Sequence, residues 1–338
     1  MSRTAILLQA LVLVASAGVA IEVGAAAPRT FVASNGSDTN PCSLISPCRS
    51  LGSALLQTTA GGEIVVLDSA GYGTVVIDRA VTITVPEGVY AGITVPAYGI
   101  GVKVAAGAFD VVLLRGLSIN GQGAGAGIKL TSALSLVVDR CTIRGFADPA
   151  FFPVPTAALW VEGPGRFHVR NSFFVRNSVA VLVGSSTELY RGTIEHSTFA
   201  ETGSGVSVFA SIDLVVTDTV ISGTSNSNSG TGISLGSSSV DASRIQITRT
   251  SIGHFGQGIS ASNAVSVSHV SIADSDITQN DTGIVADVGG FIWLTGTRVT
   301  HNGTGVSALL SPVATSGTNF FAWNGTDGGP LLPPSGIK

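Results

Sequence analysis

The fold class this sequence predicts is all-β, a parallel β-helix, and three observations predict it. A phrase of short apolar runs recurs from about residue 127 onward, with a period of about 22 to 31 residues. Each run is only about three to five residues long, alternates apolar with polar positions and is rich in Val, Ile and Thr, which is strand patterning. No segment after about residue 60 carries a sustained helical period, so strands must be covered by strands. A chain that makes about three short strands per repeat and stacks each repeat on the last forms such a helix, with coils about 4.8 Å apart. A β-sandwich would show hairpin turns and no fixed period, and the sequence has neither.

The N-terminal segment comes first. Residues 1–26 read as a signal peptide: Arg3 is the positive flank, Ala5 to Ala20 is apolar apart from Gln9 and Ser16, and small residues follow from Gly24 to Ala27. Cleavage after Ala26 leaves Pro28 second in the mature chain, and Ala20 is the other candidate position. A membrane anchor is the competing reading, but the run falls short of about 20 apolar residues and Glu22 interrupts its end. Polar residues break every later apolar stretch, so no helical span is expected after signal cleavage. The expected location is secreted, periplasmic or extracellular, where disulfides persist. Cys42 and Cys48 lie in the Pro-bounded loop NPCSLISPC and are expected to pair. A half metal site there would lack a nearby His or further Cys. Cys141 would remain unpaired, at a repeat position held elsewhere by Ser172, Ser197 and Thr219, which favours a small, inert inward side chain.

Residues 61–310 hold the coils. The opening run appears as AGIKL, AALWV, VAVLV, SGVSV, TGISL, QGISA, TGIVA and TGVSA, and the second half as LVVDRCTI, FHVRNSFF, GTIEHSTF and IQITRTSI, among others. These phrases resemble the right-handed parallel β-helix repeats of the pectin-lyase-like superfamily. Residues 27–60, with TFVASNGSDTNPCSLISPCRSLGSALLQT followed by GGEIVVLDSAGYG, are similar to the leading segment of many secreted β-helix proteins. That resemblance implies a lead-in strand, a Pro-containing loop and a short N-terminal capping helix. Leu51, Ala54, Leu55 and Thr58 would form the inner face of that helix and cover the open end of the stack. The resemblance covers about residues 30 to 310 and implies the fold. It leaves the activity open, because the superfamily holds lyases, hydrolases, esterases, adhesins and inert scaffolds. Residues 311–338 lose the repeat and are expected to form a C-terminal cap or tail, with Phe320, Phe321 and Trp323 folded over the last coil.

Stacking turns the repeat into columns. One column reads Arg140, Asn171, His196, Asp218, Arg249, Asp274 and Gly296, and its neighbour reads Asp139, Arg170, Glu195, Thr217, Thr248, Ala273 and Thr295. Either His196 serves as a base between carboxylates, or the columns are a turn ladder of alternating charge, which is the expectation adopted. A third column, Arg176, Glu201, Gly223, His254, Gln279 and His301, runs beside Asn177, Asn280 and Asn302, and Asn suits tight turns. His254 and His301 are two coils apart, about 9 to 10 Å, too far to share a metal. The sequons at Asn35, Asn280, Asn302 and Asn324 read as turn residues.

In carbohydrate-active members of the superfamily the cleft lies outside the first strand of each coil. The resemblance therefore directs attention to Lys129, Trp160, Leu182, Ser207, Ser234, Ser260, Val285 and Ser307. No carboxylate stands among them, whereas a calcium-dependent lyase needs several and a hydrolase needs two. Nor is there an Asn-Thr-Asp, Gly-His-Gly or Arg-Ile-Lys like that of polygalacturonases; RIQ at Arg244 is the nearest. The loop ADPAFFPVPT is expected to bring Phe151 and Phe152 near Trp160 and Lys129 as a sugar-stacking patch, against the alternative that it packs on its own coil.

Two functions follow. The first is a non-catalytic scaffold or polysaccharide-binding module of the cell surface, monomeric, without cofactor. The second is a polysaccharide lyase or hydrolase acting on polyuronates, using Lys129, Glu162, Arg170, Glu195 and His196 if one cleft gathers them. Calcium has no Asp-rich array to hold it. Only 11% of the 338 residues are charged, and lysine occurs only at 103, 129 and 338, so no basic stripe for nucleic acid is visible.

Overall fold

A computed structural model describes residues 26–123, 125–147, 156–184, 189–224, 230–237, 242–329 and 331–333. The signal segment and the Phe151–Phe152 loop therefore lie outside the described residues. The chain is a right-handed parallel β-helix of three sheets, with 11, 13 and 11 strands. The first sheet runs from Val75–Ile77 to Thr326–Gly328, the second from Ala27–Val32 to Leu331–Leu332, and the third from Ala70–Gly71 to Phe320–Ala322. Each coil visits the three in order, as Gly125–Ser132, Ser135–Asp139 and Thr142–Arg144 do.

Apolar residues stack in register through the interior. Ile128, Leu159, Val181, Val206, Ile233 and Ile259 form one such line in the first sheet, all buried. Aromatic rings fill the wider coils: Phe174 meets Phe199 edge to face at 4.8 Å. Phe167 leans over Gly192 so closely that a Cβ at 192 would sit 2.2 Å from its ring.

Most short turns of the middle coils are built by one residue in left-handed backbone. Arg140, Asn171, His196, Asp218, Arg249 and Asp274 all take φ between 47° and 53° between the second and third sheets. Arg176, Glu201, His254, Gln279 and His301 do the same, with φ between 52° and 66°, after the third. No β-branched residue stands in either column, as sterics require. Inside each turn runs a ladder. Between the second and third sheets it is hydroxylic: Ser172 Oγ accepts from the Cys141 amide at 3.1 Å, and Ser197 Oγ from the Ser172 amide at 3.2 Å. Cys141 occupies the top of that ladder, and burial pushes its thiol pKa up to about 12, so it is inert. After the third sheet the ladder is made of amides. Asn302 Oδ1 accepts from the Asn280 backbone N–H at 2.9 Å and Asn324 Oδ1 from that of Asn302 at 2.9 Å.

The leading segment matches its sequence reading. Ser50 caps the helix Leu51–Gln57 by accepting from the Ser53 N–H, and Leu51, Ala54 and Leu55 are its buried residues. Thr58 is buried too, but as the first residue of strand Thr58–Val66, where its hydroxyl meets that of Thr30 at 2.7 Å. Cys42 and Cys48 are disulfide-bonded, and Cys48 bridges in parallel to Val32, so the loop extends the stack by one step. Replacing both Cys42 and Cys48 by alanine is expected to destabilise this end by about 2 kcal/mol, through the entropy a short closed loop removes from the unfolded chain. An unchanged urea midpoint for the double variant would show that the loop's hydrogen bonds hold it alone.

The C-terminal expectation needs correction. The described residues after 310 do not fold over the last coil as a cap; they continue the stack. Val313–Thr315 pairs with Ile292–Leu294, Phe320–Ala322 with Arg298–Thr300, and Leu331–Leu332 with Val313–Ala314. These strands pair through backbone groups, which a fading apolar pattern does not prevent. Trp323 is 67% exposed rather than folded inward.

Candidate functional site

The first sheet orders its outward column as the repeat requires. Val76, Lys103, Lys129, Trp160, Leu182, Ser207, Ser234, Ser260, Val285 and Ser307 are successive partners in register. Lys103 was not singled out from the sequence, although GIGVKV at Gly99 repeats the phrase AGIKL and carried the signal. The column is flanked by a glycine at the opening of most coils, with Ala158 and Ala180 in that place in two of them. A Cβ on Gly232 would lie 2.3 Å from Ile252 Cγ2 and 2.5 Å from the Gly258 carbonyl oxygen. The third sheet's aliphatic side chains thus press on the first sheet's backbone, and only Gly or Ala fits between.

Three of the candidate side chains converge on this face. Lys129 Nζ lies 2.8 Å from Glu162 Oε1 and 3.6 Å from the centroid of the Trp160 ring. The lysine side chain is only 14% exposed, so the cation–π contact and the ion pair act in a partly desolvated place, where each is stronger than on an open surface. The ammonium covers one face of the indole. The Trp160 N–H is enclosed without a hydrogen-bond partner, which sets it apart because buried polar groups are nearly always paired. Glu162 follows the strand Ala157–Val161, and Thr131 and Gly184 hold the equivalent position on the adjoining coils. No second carboxylate stands in register with it there.

Arg170, Glu195 and His196 belong elsewhere. They lie on the second sheet and the turn that leaves it, so the candidates fall into two groups on two sheets instead of one cleft. Arg170 meets Asp139 across the coil: its Nη2 donates to Oδ2 at 3.4 Å, and its Nε lies 3.4 Å from Oδ1 without a hydrogen bond. Arg115 Nε donates to the same carboxylate at 3.0 Å, and Asn171 Nδ2 at 3.3 Å. Burial pushes the Asp139 pKa up, but the bonds from Asn171 and Arg115 and the two guanidinium charges outweigh it and hold the pKa below the usual value. Glu195 is Arg170's partner in register on the other side. His196 is 60% exposed, with Nε2 at 3.7 Å from Asp218 Oδ2. Arg249 grips Asp218 by two bonds of 2.7 Å and brings that carboxyl down to about 2. Opposite charges on adjacent coils thus pair as Asp139 with Arg170 and Asp218 with Arg249. Among the described residues no three His, Cys, Asp or Glu side chains gather into a metal-binding group, and no helix is long and apolar enough to cross a membrane.

No protein-family model and no curated protein matches this sequence. Solved structures do match. The pectate lyase Pel9A superposes with a TM-score of 0.62 at 14% identity, over 86% of this chain and 79% of that one. A GH136 lacto-N-biosidase from Eubacterium ramulus gives 0.61 at 10% identity, over 90% and 67%. XylC in complex with xylose gives 0.59 at 9%, over 81% and 69%. The fold is the pectin-lyase-like right-handed β-helix. At these identities the likeness concerns the fold and carries no residue role across.

Proposed function

We propose that this chain is an exported β-helix that binds polysaccharide along its first sheet and does not cleave it. The observation that carries this reading is the convergence of Lys129, Trp160 and Glu162 in line with Ser207, Ser234, Ser260 and Ser307. An ammonium carries three donors and a carboxylate accepts, so the trio offers sugar hydroxyls both functions, and farther along the column, beyond Leu182, Ser207, Ser234 and Ser260 stand on successive coils about 4.8 Å apart, with Ser307 beyond Val285. The indole wall supplies the apolar surface that a sugar's C–H face needs. Lys129 is already engaged by Glu162 and Trp160, which suits a fixed binding contact better than a base that must release and take protons. Pel9A and the lacto-N-biosidase carry names of carbohydrate-active enzymes, which supports a sugar ligand for the shared architecture. Export is supported by the Arg3 to Ala27 pattern and by the Cys42–Cys48 disulfide.

The test is a fluorescence titration of the mature chain with neutral soluble polymers: xylan, mixed-linkage β-glucan and galactan. Saturable binding to at least one is expected, weakened on the order of tenfold in Trp160→Ala, with no new reducing ends. Release of reducing or unsaturated ends that disappears in Glu162→Gln would overturn the non-catalytic reading. Silence across the panel would overturn the ligand class.

A further inference from the structure

The arginines divide into two sets. Arg29, Arg79, Arg115, Arg140, Arg170, Arg176, Arg249 and Arg298 each face a carboxylate within ion-pair reach. Arg49 donates to the Gly71 carbonyl and Arg144 to the Asn120 amide oxygen. Among the described arginines that leaves Arg166, Arg191 and Arg244, which have no such acceptor among the described residues. All three are exposed and lie at the starts of their strands on the outer face of the second sheet, Arg166 and Arg244 first and Arg191 second after Tyr190. In register they form one row: Ser135, Arg166, Arg191, Asp213, Arg244, His269.

Arg166 and Arg191 are direct neighbours in this row, about 4.8 Å apart along the stack. Like charges placed opposite each other on adjacent strands repel, and elsewhere in this protein stacked arginines are separated or neutralised by acids. Here Arg166 has no acid in register, and Asp213, in register beyond Arg191, makes no ion pair with it, so the two guanidinium groups face a concavity. A cleft of about 480 Å³ lies where the first sheet turns into the second, lined by both arginines together with Ser132, Leu134, Gly165 and Leu189. Leu134 and Leu189 are 41% and 40% exposed, so the cleft has apolar walls as well as a cationic rim. Two guanidinium forks at a low-dielectric concavity focus positive potential and bind flat or tetrahedral oxyanions through paired N–H donors.

We propose that this cleft is a second binding site, separate from the first-sheet face, for an acidic group, carboxylate or sulfate ester, carried on a glycan chain laid along the solenoid axis. The leucines take the apolar faces of its sugars and the arginines its charge. Asp213, next in the row after Arg191, is the one carboxylate of this row, and it bounds the site on that side. Sequence reading missed the site because GRFHVR and YRGTIE look like ordinary strand starts. Only the ion-pair map shows which arginines lack partners.

The test is calorimetric titration of the mature chain with heparin and, separately, polygalacturonate, at two salt concentrations, with galactan as the uncharged control. Binding to an acidic polymer that weakens as salt rises is expected. Heparin alone would assign sulfate as the group, and polygalacturonate alone would assign carboxylate. Arg166→Gln and Arg191→Gln should each weaken it on the order of tenfold, and Asp213→Asn should strengthen it. Trp160→Ala should leave it unchanged, which separates this site from the one on the first sheet. Unchanged thermal melts for the two glutamine variants would show that the loss is not unfolding. Wild-type affinity in both glutamine variants, loss in Trp160→Ala, or equal binding of galactan would each overturn the proposal.

Discussion

Gly232→Val is expected to be among the most damaging single changes in this protein, costing about 3 kcal/mol or more. Its first added carbon would fall 2.3 Å from Ile252 Cγ2 and 2.5 Å from the Gly258 carbonyl oxygen. Ile252 is wholly buried and Gly258 opens the next coil, so neither can retreat without moving strands on both sides. Because each coil contacts only its neighbours, the damage should centre on the coils around residue 232 and spread from there. Hydrogen exchange should show amides of Gln257–Asn263 and Ser251–Gly253 losing protection while those of Val102 and Val112 keep theirs. Full protection in the 250s would show that the coil can widen at small cost, contrary to the packing argument.

The second large effect is expected at Asp139. Its side chain is 6% exposed and is held by Arg115, Arg170 and Asn171. Removing a buried partner from charges typically costs about 3–5 kcal/mol, but the two guanidinium groups are 32% and 39% exposed and regain water. Allowing for that screening, Asp139→Ala is expected to cost about 2 kcal/mol by urea unfolding at neutral pH. The pH dependence has a definite sign. A carboxyl whose folded pKa is depressed contributes stability that is complete above its unfolded value of 3.8 and is lost as pH falls through the folded one. Asp218, held at about 2 by Arg249, behaves the same way. The wild type should therefore lose stability steadily between about pH 4 and pH 2, and Asp139→Ala should show a shallower fall over that window. Parallel curves for the two would remove Asp139 from the acid response.

Much of this architecture could be read from the sequence, for a geometric reason. In a stacked solenoid, equivalent repeat positions become neighbours, so aligning the phrases amounts to writing the register. Lys129 against Trp160 and Ser234 against Ser260 came from that alignment, as did the columns through His196 and His301. The Cys42–Cys48 pair was equally accessible, since a short Pro-bounded loop brings its ends together. The coils after residue 310 were missed because strands such as Phe320–Ala322 pair through backbone groups while their side chains carry little apolar alternation.

Side-chain choice is where the alignment stops. Arg170 has Asp139 on one side and Glu195 on the other, both carboxylates and both one coil away. The structure turns it toward Asp139, where Arg115 and Asn171 already gather. Likewise, register places Lys129 beside Trp160 but does not say that its ammonium reaches over the ring to Glu162, two residues further on. The repeat by itself determined a parallel β-helix, its columns and its tight turns, because period and sterics fix the backbone. Only the tertiary structure decided that the six described charged and aromatic candidates split between two sheets and that Arg166 and Arg191 make no ion pair among the described residues. Long side chains choose among several partners within reach, and that choice depends on burial and local field, which no repeat pattern records.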